Sequence, residues 1–456
     1  MTLYFSVEYV YYNNWDFLGR IVNAKFIFSG GPYIYINNSI FETALLGVLM
    51  LLFGTYSVYA YLLLFSVLLI YACTLVIKLM QLKMKYAFVI VSPFLLFWGL
   101  KNGSEIPVIT FLLFTFYLSV RRSPLSGVTM ALAILSKFYA VFFLPILLIG
   151  IERKRRFIFY VFAAITLLIL TMMPYFAFMY RLTGYATSGM ALSFWSTEGL
   201  NPDYGAFMLS SVELVPFAAL ILLRRSSLKR KVKTRPRVFI GLFLMFAISI
   251  YVAIDASKLA IGIFASNQFR FTLPSSVFLS IIASPLFRGN RQLAIYSVAS
   301  FALATVLLIA LLGYLGTSSS FINAAKLAYA SVFYNKTCVV QSNNWIYFDY
   351  VGIPSIPVSL NASIFPVISN YALPNSRLIN ESGFKFYEEG RSCVKGRILF
   401  GTDTIIFENA TSKVYYMNLN GKYEQYSAKV FNPCAFAFGK GILYSVCMFP
   451  NYLLRL

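Results

Sequence analysis

The polar stretch from Asn13 to Tyr33 contains a single carboxylate, Asp16, just ahead of a long series of apolar segments. A carboxylate at a membrane surface can take the proton from a hydroxyl group while that oxygen attacks another molecule. Arg20 follows one helical turn later and offers a planar cation for a phosphate group. We interpret the stretch as an external loop in which Asp16 is a general base; a solvated aspartate beside interfacial aromatic residues is the simpler alternative.

Other charged residues could take part in the same chemistry. Lys137 and Arg270 are predicted to lie at the outer ends of membrane spans, where a charged side chain needs a partner or water. Either could hold a lipid-linked phosphate, and either could instead extend to the lipid headgroups. Five further acidic residues on the same side could replace Asp16 as the base or remain solvated loop charges: Glu8, Glu105, Glu198, Asp203 and Asp255.

The composition is that of a protein with many membrane spans. Of the 456 residues, 59% are hydrophobic and 12% are charged, whereas roughly 25% charged residues are usual in soluble proteins. The net charge of +22 comes mostly from short loops between apolar runs. It therefore indicates orientation in the membrane, with lipid as a partner, and not nucleic-acid binding. The chain has no histidine, which excludes imidazole catalysis and His-ligated metals.

The apolar runs predict about ten membrane spans, since each is long enough, or nearly so, to cross ~30 Å of hydrocarbon. They are approximately 56–79, 84–100, 105–120, 125–137, 139–151, 157–180, 207–223, 239–257, 271–286 and 293–314. The shorter run Ile40 to Gly54 is interpreted as an interfacial helix. An outside N-terminus requires either translocation of a short tail or an eleventh, first helix ahead of Met1.

Charges and glycosylation motifs divide between the two sides of this arrangement. Clusters of Lys and Arg, the largest from Arg224 to Arg237, fall on alternate loops, which are inside by the positive-inside rule. Six Asn-x-Ser/Thr motifs fall outside, four of them in the C-terminal region as N-glycosylation candidates: Asn335, Asn361, Asn380 and Asn409. The inner run from Arg224 to Arg237 is expected to contact anionic lipid.

From about Gly316 the pattern changes to short alternating segments with Asn, Ser, Gly and Pro turns, including WIYFDYV and KVYYMNLNGKYEQYS. This predicts a mostly β domain outside the membrane, and Asn420-Gly421 predicts a two-residue hairpin turn. Four cysteines in this region are disulfide candidates, with three possible pairings left open. They are Cys338, Cys393, Cys434 and Cys447.

Four short motifs together resemble a known family. They are Asp16 with Ala24 and Gly30-Gly31-Pro32-Tyr33; Gly127 to Ala133 leading into Leu135-Ser136-Lys137-Phe138-Tyr139; Asn267 to Pro274; and CVVQSNNWIYFDYVGIP. In this order they resemble the GT-C superfamily of polyprenyl-phosphate-sugar-dependent glycosyltransferases. The last motif is similar to the external C-terminal region of archaeal members. The resemblance covers most of the chain, although the helix that usually precedes the first loop is absent.

The resemblance implies a multi-pass protein of the cell membrane with its active site and C-terminal domain extracytoplasmic. Residues 1–55 would form the external catalytic loop and interfacial helices, 56–316 the multi-span domain and 317–456 the mostly β domain. The enzyme would transfer a hexose, mannose-like, from a polyprenyl (dolichyl) phosphate to a glycolipid or glycan acceptor with inversion. Asp16 would be the base, and the donor phosphate would contact Lys137, Arg270 and Arg20.

The resemblance implies no certain cofactor and leaves a divalent metal open. The leaving group is already a phosphate and needs no general acid, so the reaction does not require a histidine. The first loop lacks the paired acidic residues with which some members bind a divalent metal, so a metal is unsupported. Two other functions stay open, a transporter and a surface protein without enzymatic activity. Acidic residues within the spans are scarce and no inverted repeat is evident, which disfavours transport.

Overall fold

The structure of the protein is a computed structural model that describes most helices and the strands of the C-terminal region. The described residues are 15–29, 40–87, 105–149, 155–183, 186–187, 190, 201–259, 266–287, 289, 291–296, 298–299, 302, 318–333, 338, 340–342, 345–353, 355–356, 366–369, 376–381, 384–389, 397–400, 404–408, 413–419, 422–426, 436–439 and 442–445. Within this part the chain is mostly helical.

The chain divides into two compact units. Unit 1 contains Val58–Pro174 and Gly199–Leu311, and unit 2 contains Val7–Ser57, Tyr175–Glu198 and Leu312–Leu456. The N-terminal segment that carries Asp16 therefore belongs to the same unit as the C-terminal region, an association that the sequence pattern did not indicate.

The described helices alternate with short 3₁₀ segments. The α-helices are α1 (Trp15–Ser29), α2 (Ile40–Phe53), α3 (Ser57–Leu79), α4 (Glu105–Val120), α5 (Leu125–Ser136), α6 (Arg155–Thr183), α7 (Tyr204–Ser210), α8 (Val215–Leu223), α9 (Arg225–Thr234), α10 (Pro236–Ala256), α11 (Ser266–Ala283), α12 (Ser318–Phe333) and α13 (Trp345–Tyr350). The 3₁₀ segments are Gly54–Tyr56, Met84–Tyr86, Phe138–Leu148, Ser211–Leu214, Ser257–Leu259 and Ser284–Leu286.

Three described helices are long and apolar enough to cross a membrane. They are Ile40–Leu79, Phe157–Tyr180 and Pro236–Ala256, and shorter apolar helices cover Glu105–Val120, Leu125–Ser136, Phe138–Leu148 and Phe271–Leu286. The predicted runs 84–100 and 293–314 lie largely outside the described residues, so the number of ten spans stays a prediction. The predicted run 207–223 is divided into α7, the segment Ser211–Leu214 and α8.

The N-terminal prediction of a loop was wrong over residues 15–29, which form helix α1; the rest of the predicted loop lies outside the described residues. Apolar residues at 17, 18, 21 and 22 follow the helical period, and the side chains from Phe17 to Ala24 are all buried. The expected interfacial helix also differs: α2 continues through Gly54–Tyr56 into α3, so that Ile40–Leu79 is one apolar helical stretch. The positive φ of +54° at Gly54 marks the junction.

Unit 1 is built around two antiparallel helical hairpins. Helices α4 and α5 are joined by the tight turn at residues 121–124, and the Thr115 and Thr129 hydroxyls of the two helices are 2.9 Å apart. Helices α10 and α11 form the second hairpin. The segment Phe138–Leu148 contacts both hairpins, with the rings of Phe143 and Phe278 6.1 Å apart.

Helix α6 shows which surfaces of the bundle are suited to lipid. Tyr160 and Ala164 face the protein and are buried, whereas Ile158, Phe159 and Phe162 are exposed by 70% or more. Exposed apolar side chains of this size on a continuous helix face indicate contact with lipid chains rather than water. The outward face of α6 therefore supports membrane insertion independently of the length of the helix.

Unit 2 contains the strands of the C-terminal region. The strands are β1 (Val340–Gln341), β2 (Ser355–Ile356), β3 (Val367–Ser369), β4 (Arg377–Glu381), β5 (Phe384–Glu389), β6 (Arg397–Phe400), β7 (Thr404–Glu408), β8 (Lys413–Leu419), β9 (Lys422–Tyr426), β10 (Phe436–Gly439) and β11 (Ile442–Ser445). They form a five-stranded sheet of order β2-β1-β3-β5-β4, the antiparallel meander β6-β7-β8-β9, and the pair β10-β11.

The register of β8 and β9 places Leu419 opposite Lys422, the pairing expected for strands joined by two residues; the predicted turn residues Asn420 and Gly421 lie outside the described residues. Two parts of the predicted β region are helical instead. Helix α12 occupies Ser318–Phe333, and WIYFDYV, interpreted as a strand, forms α13 over Trp345–Tyr350. The neighbours Tyr347 and Phe348 are both buried, whereas a strand would direct successive side chains to opposite faces.

A close approach of α5 to α6 at Gly127 yields a stability prediction. A Cβ atom at Gly127 would lie 1.8 Å from the carbonyl oxygen of Ala164, and the backbone there can yield only if the helices separate. We expect Gly127→Ala to destabilise the protein by at least the roughly 1–3 kcal/mol of core overpacking. Thermal unfolding in detergent measures this effect.

The control for this variant is Gly205→Ala in α7, where the new Cβ would meet only the Asp203 side chain, at 3.3 Å. This change should leave the unfolding temperature close to that of the wild type. Equal unfolding temperatures for all three proteins would contradict the tight contact between α5 and α6.

Candidate functional site

An ion pair between Lys137 and Glu105 lies at one end of unit 1. Lys137 ends α5 with an extended backbone (φ −161°, ψ 126°), and Glu105 is the first residue of α4. From the Thr115–Thr129 contact, α4 runs back about 15 Å to Glu105 and α5 runs forward about 12 Å to Lys137. The Lys137 ammonium donates to Glu105 Oε1. Glu105 is fully buried, and the Lys137 side chain is 16% exposed.

Two aromatic rings complete the surroundings of the Lys137 ammonium. Its Nζ lies 4.7 Å from the ring centroid of Phe271 and 5.6 Å from that of Tyr139, within the range of cation–π attraction. Phe271 packs in turn against Ala253 and Ala256 at the end of α10. The carboxylate of Glu105 is also favourably placed, because the N-terminus of a helix stabilises negative charge.

The contact of the Lys137 ammonium with the Phe271 ring places two predicted phosphate-binding positions, 137 and 270, near each other. Arg270 directly precedes Phe271 in α11, so its backbone lies one residue from the ring that covers Lys137. The side chain of Arg270 is outside the described part of the structure. Asp255 and Lys258 pair near the end of α10, with Nζ and Oδ1 2.5 Å apart.

Asp203 has a structural role that its surroundings explain. Its Oδ1 accepts a hydrogen bond from the backbone N–H of Ala206 at 3.0 Å. This is the bond of an N-cap residue to the first turn of its helix, here α7. Of the five alternative acidic residues, Asp203 and Asp255 thus have local partners and Glu105 pairs with Lys137, whereas Glu8 and Glu198 lie outside the described residues.

Unit 2 contains a second buried ion pair, between Arg20 of α1 and Glu42 of α2. Nε of Arg20 lies 2.8 Å from Oε2 of Glu42, and the two side chains are 2% and 0% exposed. The charges are in contact, but the N–H direction does not meet hydrogen-bond geometry, and Arg20 Nη1 has no hydrogen-bond partner in the described chain. Asp16 lies one turn ahead of Arg20 on α1; its side chain is outside the described part.

The partners of Arg20 and Lys137 were the functional candidates that sequence reasoning missed. Glu105 is predicted from the sequence as an alternative base or a solvated loop charge, not as the partner of Lys137, and Glu42 is not among the sequence candidates. Each is the only charged residue of its helix. A lone charge in an apolar helix needs a partner, which is the signal that could have identified both pairs.

Lys25 connects α1 to α13. Its Nζ donates to the Tyr350 carbonyl at 2.7 Å and lies 4.6 Å from the Tyr350 ring centroid. The residue as a whole is exposed, but its ammonium end is enclosed by these groups. Desolvation and the positive charge of Lys326 lower the pKa of Lys25 from its ordinary value.

Cys338 is held by both its side chain and its backbone. It is disulfide-bonded, and its possible partners Cys393, Cys434 and Cys447 lie outside the described residues. The Tyr329 hydroxyl donates to the Cys338 carbonyl at 2.9 Å and accepts from the Cys338 N–H at 2.7 Å. Burial raises the pKa of Tyr329, and the bond to Cys338 partly offsets that rise.

Among the glycosylation candidates, Asn380 is exposed on β4, where a glycan would meet no obstacle from its own strand. Asn335, Asn361 and Asn409 lie outside the described residues. Within the described chain, no group of three or more Cys, Asp or Glu side chains is placed to hold a metal ion.

Comparison with protein-family models, curated proteins and solved structures found no match. A functional interpretation therefore depends on the geometry of the two ion pairs and on their place in an apolar helical protein.

The Arg20–Glu42 pair leads to a prediction on stability. Glu42→Gln or Arg20→Met would remove one member of this buried ion pair, a loss of about 3–5 kcal/mol. The double variant Arg20→Met/Glu42→Gln removes both charges and should recover most of that loss. Chemical denaturation in detergent measures the four proteins as a double-mutant cycle.

The control is the partly exposed pair at the end of α10. Asp255→Asn/Lys258→Gln should cost no more than roughly 1 kcal/mol, as exposed ion pairs do. If Glu42→Gln were as mild as this control, the Arg20 charge would not depend on Glu42.

Proposed function

We propose that the protein is an inverting membrane glycosyltransferase, which transfers a hexose from a polyprenyl-phosphate-linked donor to a glycolipid or glycan acceptor. The observation that carries the proposal is Lys137, a largely buried cation with an exposed edge, which lies among aromatic rings where apolar helices end. Ionisable residues at membrane depth are costly and are typical of functional sites. A lipid-linked phosphate is a ligand that reaches this depth from the bilayer.

The chemistry of the Lys137 site supports an anionic ligand. An ammonium group is a compact charge that binds phosphate from several directions. The Glu105 carboxylate compensates the Lys137 charge. When a phosphate replaces that carboxylate beside the ammonium, the N-terminus of α4 continues to stabilise the negative charge of Glu105. Arg270 and Arg20 are the further donor-phosphate residues of the proposal.

Asp16 is the proposed base. It removes the proton from the acceptor hydroxyl as that oxygen attacks the anomeric carbon, and the bond to the donor phosphate breaks on the opposite side of the sugar. The phosphate leaves as an anion, so no general acid is required. No metal or other cofactor takes part in this scheme.

The proposal places the reaction on the extracytoplasmic face of the cell membrane, in a protein of about ten spans. Helix α10, with 21 residues, separates Arg235 from the Lys137 end by about 30 Å. The basic loops at the Arg235 end are typical of the cytoplasmic side. The Lys137 end and the C-terminal domain, with its disulfide at Cys338 and exposed motif at Asn380, are accordingly assigned outside.

The decisive test is hexose transfer from radiolabelled polyprenyl-phosphate sugars to endogenous lipid and glycan acceptors. Membranes with the wild type should transfer label, and Asp16→Asn at matched protein levels should reduce the rate by about 100-fold or more, as expected for a lost general base. Transfer retained in Asp16→Asn would move the base to another carboxylate. No transfer from any donor by the wild type would contradict the enzymatic function.

Lys137 yields a separate prediction on donor binding. Because Lys137→Met alone would remove the ammonium that pairs with the buried Glu105 carboxylate, the informative variant is Lys137→Met/Glu105→Gln, which removes both charges. We expect the KM for the donor to rise at least about tenfold, since one charge-assisted contact of roughly 1.5–3 kcal/mol is lost. Lys137→Arg should recover part of the affinity.

Lys258→Met is the matched control, because Lys258 lies at the same end of unit 1 with a similar exposed fraction of 23%. Its KM should stay within twofold of the wild type. A folded double variant with an unchanged KM would show that the Lys137–Glu105 pair is structural only.

A further inference from the structure

Helix α9 lies between two sharp corners of the chain in unit 1. At Arg224 (φ −121°, ψ 29°) the chain leaves α8, and at Arg235 (φ −144°, ψ 60°) it leaves α9 for α10. Pro236 follows the second corner and disfavours helical geometry at the residue before it. A ten-residue helix is thereby set off from the apolar helices on both sides.

Both corner arginines bond to the C-terminal ends of other helices. Arg224 donates to the carbonyl of Leu286, the last residue of the segment after α11, and its Nη1 lies 3.4 Å from Oε1 of Gln292. Arg235 donates to the carbonyl of Leu79, the last residue of α3. These carbonyls have no partner within their own helices, and a cation there also offsets the helix dipole. The two corner residues therefore have a structural role.

Four other cations share one face of α9 and have no such role. Arg225, Lys229 and Lys233 follow at intervals of four residues, and Arg230 lies three residues before Lys233, so the four form one surface. This surface is called the basic face below. All four side chains are exposed, and in the described chain none makes an ion pair or a side-chain hydrogen bond. Like charges at this spacing repel each other and destabilise a helix.

The position of α9 indicates what the basic face meets. Leu222 and Leu223, just before the first corner, are 74% and 85% exposed, and Ile240, one turn into α10, is exposed as well. Exposed leucines at the end of an apolar helix contact lipid chains, and α10 is itself long enough to span a membrane. The basic face thus begins where lipid-facing apolar surface ends, at the level of the headgroups.

We propose that the basic face of α9 binds the headgroups of anionic phospholipids. Its charge complements an anionic bilayer surface, which attracts clusters of Lys and Arg next to membrane spans. The leucine side of the helix, with Leu228 buried and Val232 half-buried, holds α9 against the protein while the cations remain available to lipid. This inference does not depend on the proposed transferase activity.

The test is amine acetylation of the full-length protein in lipid nanodiscs, followed by mass spectrometry of individual lysines. Neutral phosphatidylcholine discs are compared with discs that contain anionic phosphatidylglycerol. Lys229 and Lys233 should react about fivefold more slowly in the anionic discs, given the strength of single basic residues at such surfaces. High salt should abolish the difference because it screens exposed charges. Lys385, exposed on β5, is the internal control and should react equally in both.

Three outcomes would overturn the proposal. The first is equal reaction rates of Lys229 and Lys233 in the two discs, and the second is an equal slowing of Lys385. The third is protection in neutral discs by inorganic phosphate or by a duplex oligonucleotide with none from phosphatidylglycerol, which would assign the basic face to a soluble anion or to nucleic acid.

Discussion

Charge in an apolar bundle needs a counter-charge, and this constraint shapes both units of the protein. Glu42 and Glu105 are fully buried, and an isolated carboxylate in such surroundings would lose several kcal/mol of hydration. Arg20 and Lys137 supply the opposite charge from helices that adjoin in space. The packing of α1 on α2, and of the α5 terminus on α4, is therefore fixed by electrostatics as well as by apolar contact.

The Arg20–Glu42 and Lys137–Glu105 pairs differ in the exposed fraction of the cationic side chain. Arg20 is enclosed almost completely, whereas Lys137 keeps an exposed edge and contacts two aromatic rings. An enclosed pair mainly selects one packing arrangement. A pair with an accessible cation can exchange its internal carboxylate for an external anion, and that difference makes the Lys137 pair the better candidate for ligand binding.

Much of the helical fold could be predicted from the sequence, because apolar runs bounded by charged or turn residues set their own limits. The predicted run 105–120 has the same bounds as α4, and 125–137 matches α5 to within one residue. The loop predicted around Asp16 failed because its helix is stabilised by burial in unit 2, which local polarity does not reveal. WIYFDYV failed because a six-residue helix and a short strand have similar apolar content.

The cations of the candidate site could be predicted from the sequence, but their carboxylate partners could not. Lys137, Arg270 and Arg20 could be selected because charges near the ends of apolar runs are conspicuous. Their partners could not be assigned, since Glu42 lies 22 residues after Arg20 and Glu105 lies 32 residues before Lys137, and pairing over such distances is decided by helix packing. Arg224 and Arg235 looked like members of one uniform basic run, and only their carbonyl partners distinguish them from the basic face.

The 3₁₀ geometry of Phe138–Leu148 gives this segment a greater length per residue than an α-helix has. Its eleven residues rise about 2.0 Å each and cover about 22 Å, where an α-helix of that length would cover about 16 Å. Ile149, at its far end, packs against Gly241 of α10, and Gly241 lies about 22 Å along that helix from Ala256. The eleven residues of Phe138–Leu148 thus cover the same axial distance as fifteen residues of α10. Thickness in ångströms, rather than a count of residues, decides whether so short a segment traverses the apolar layer.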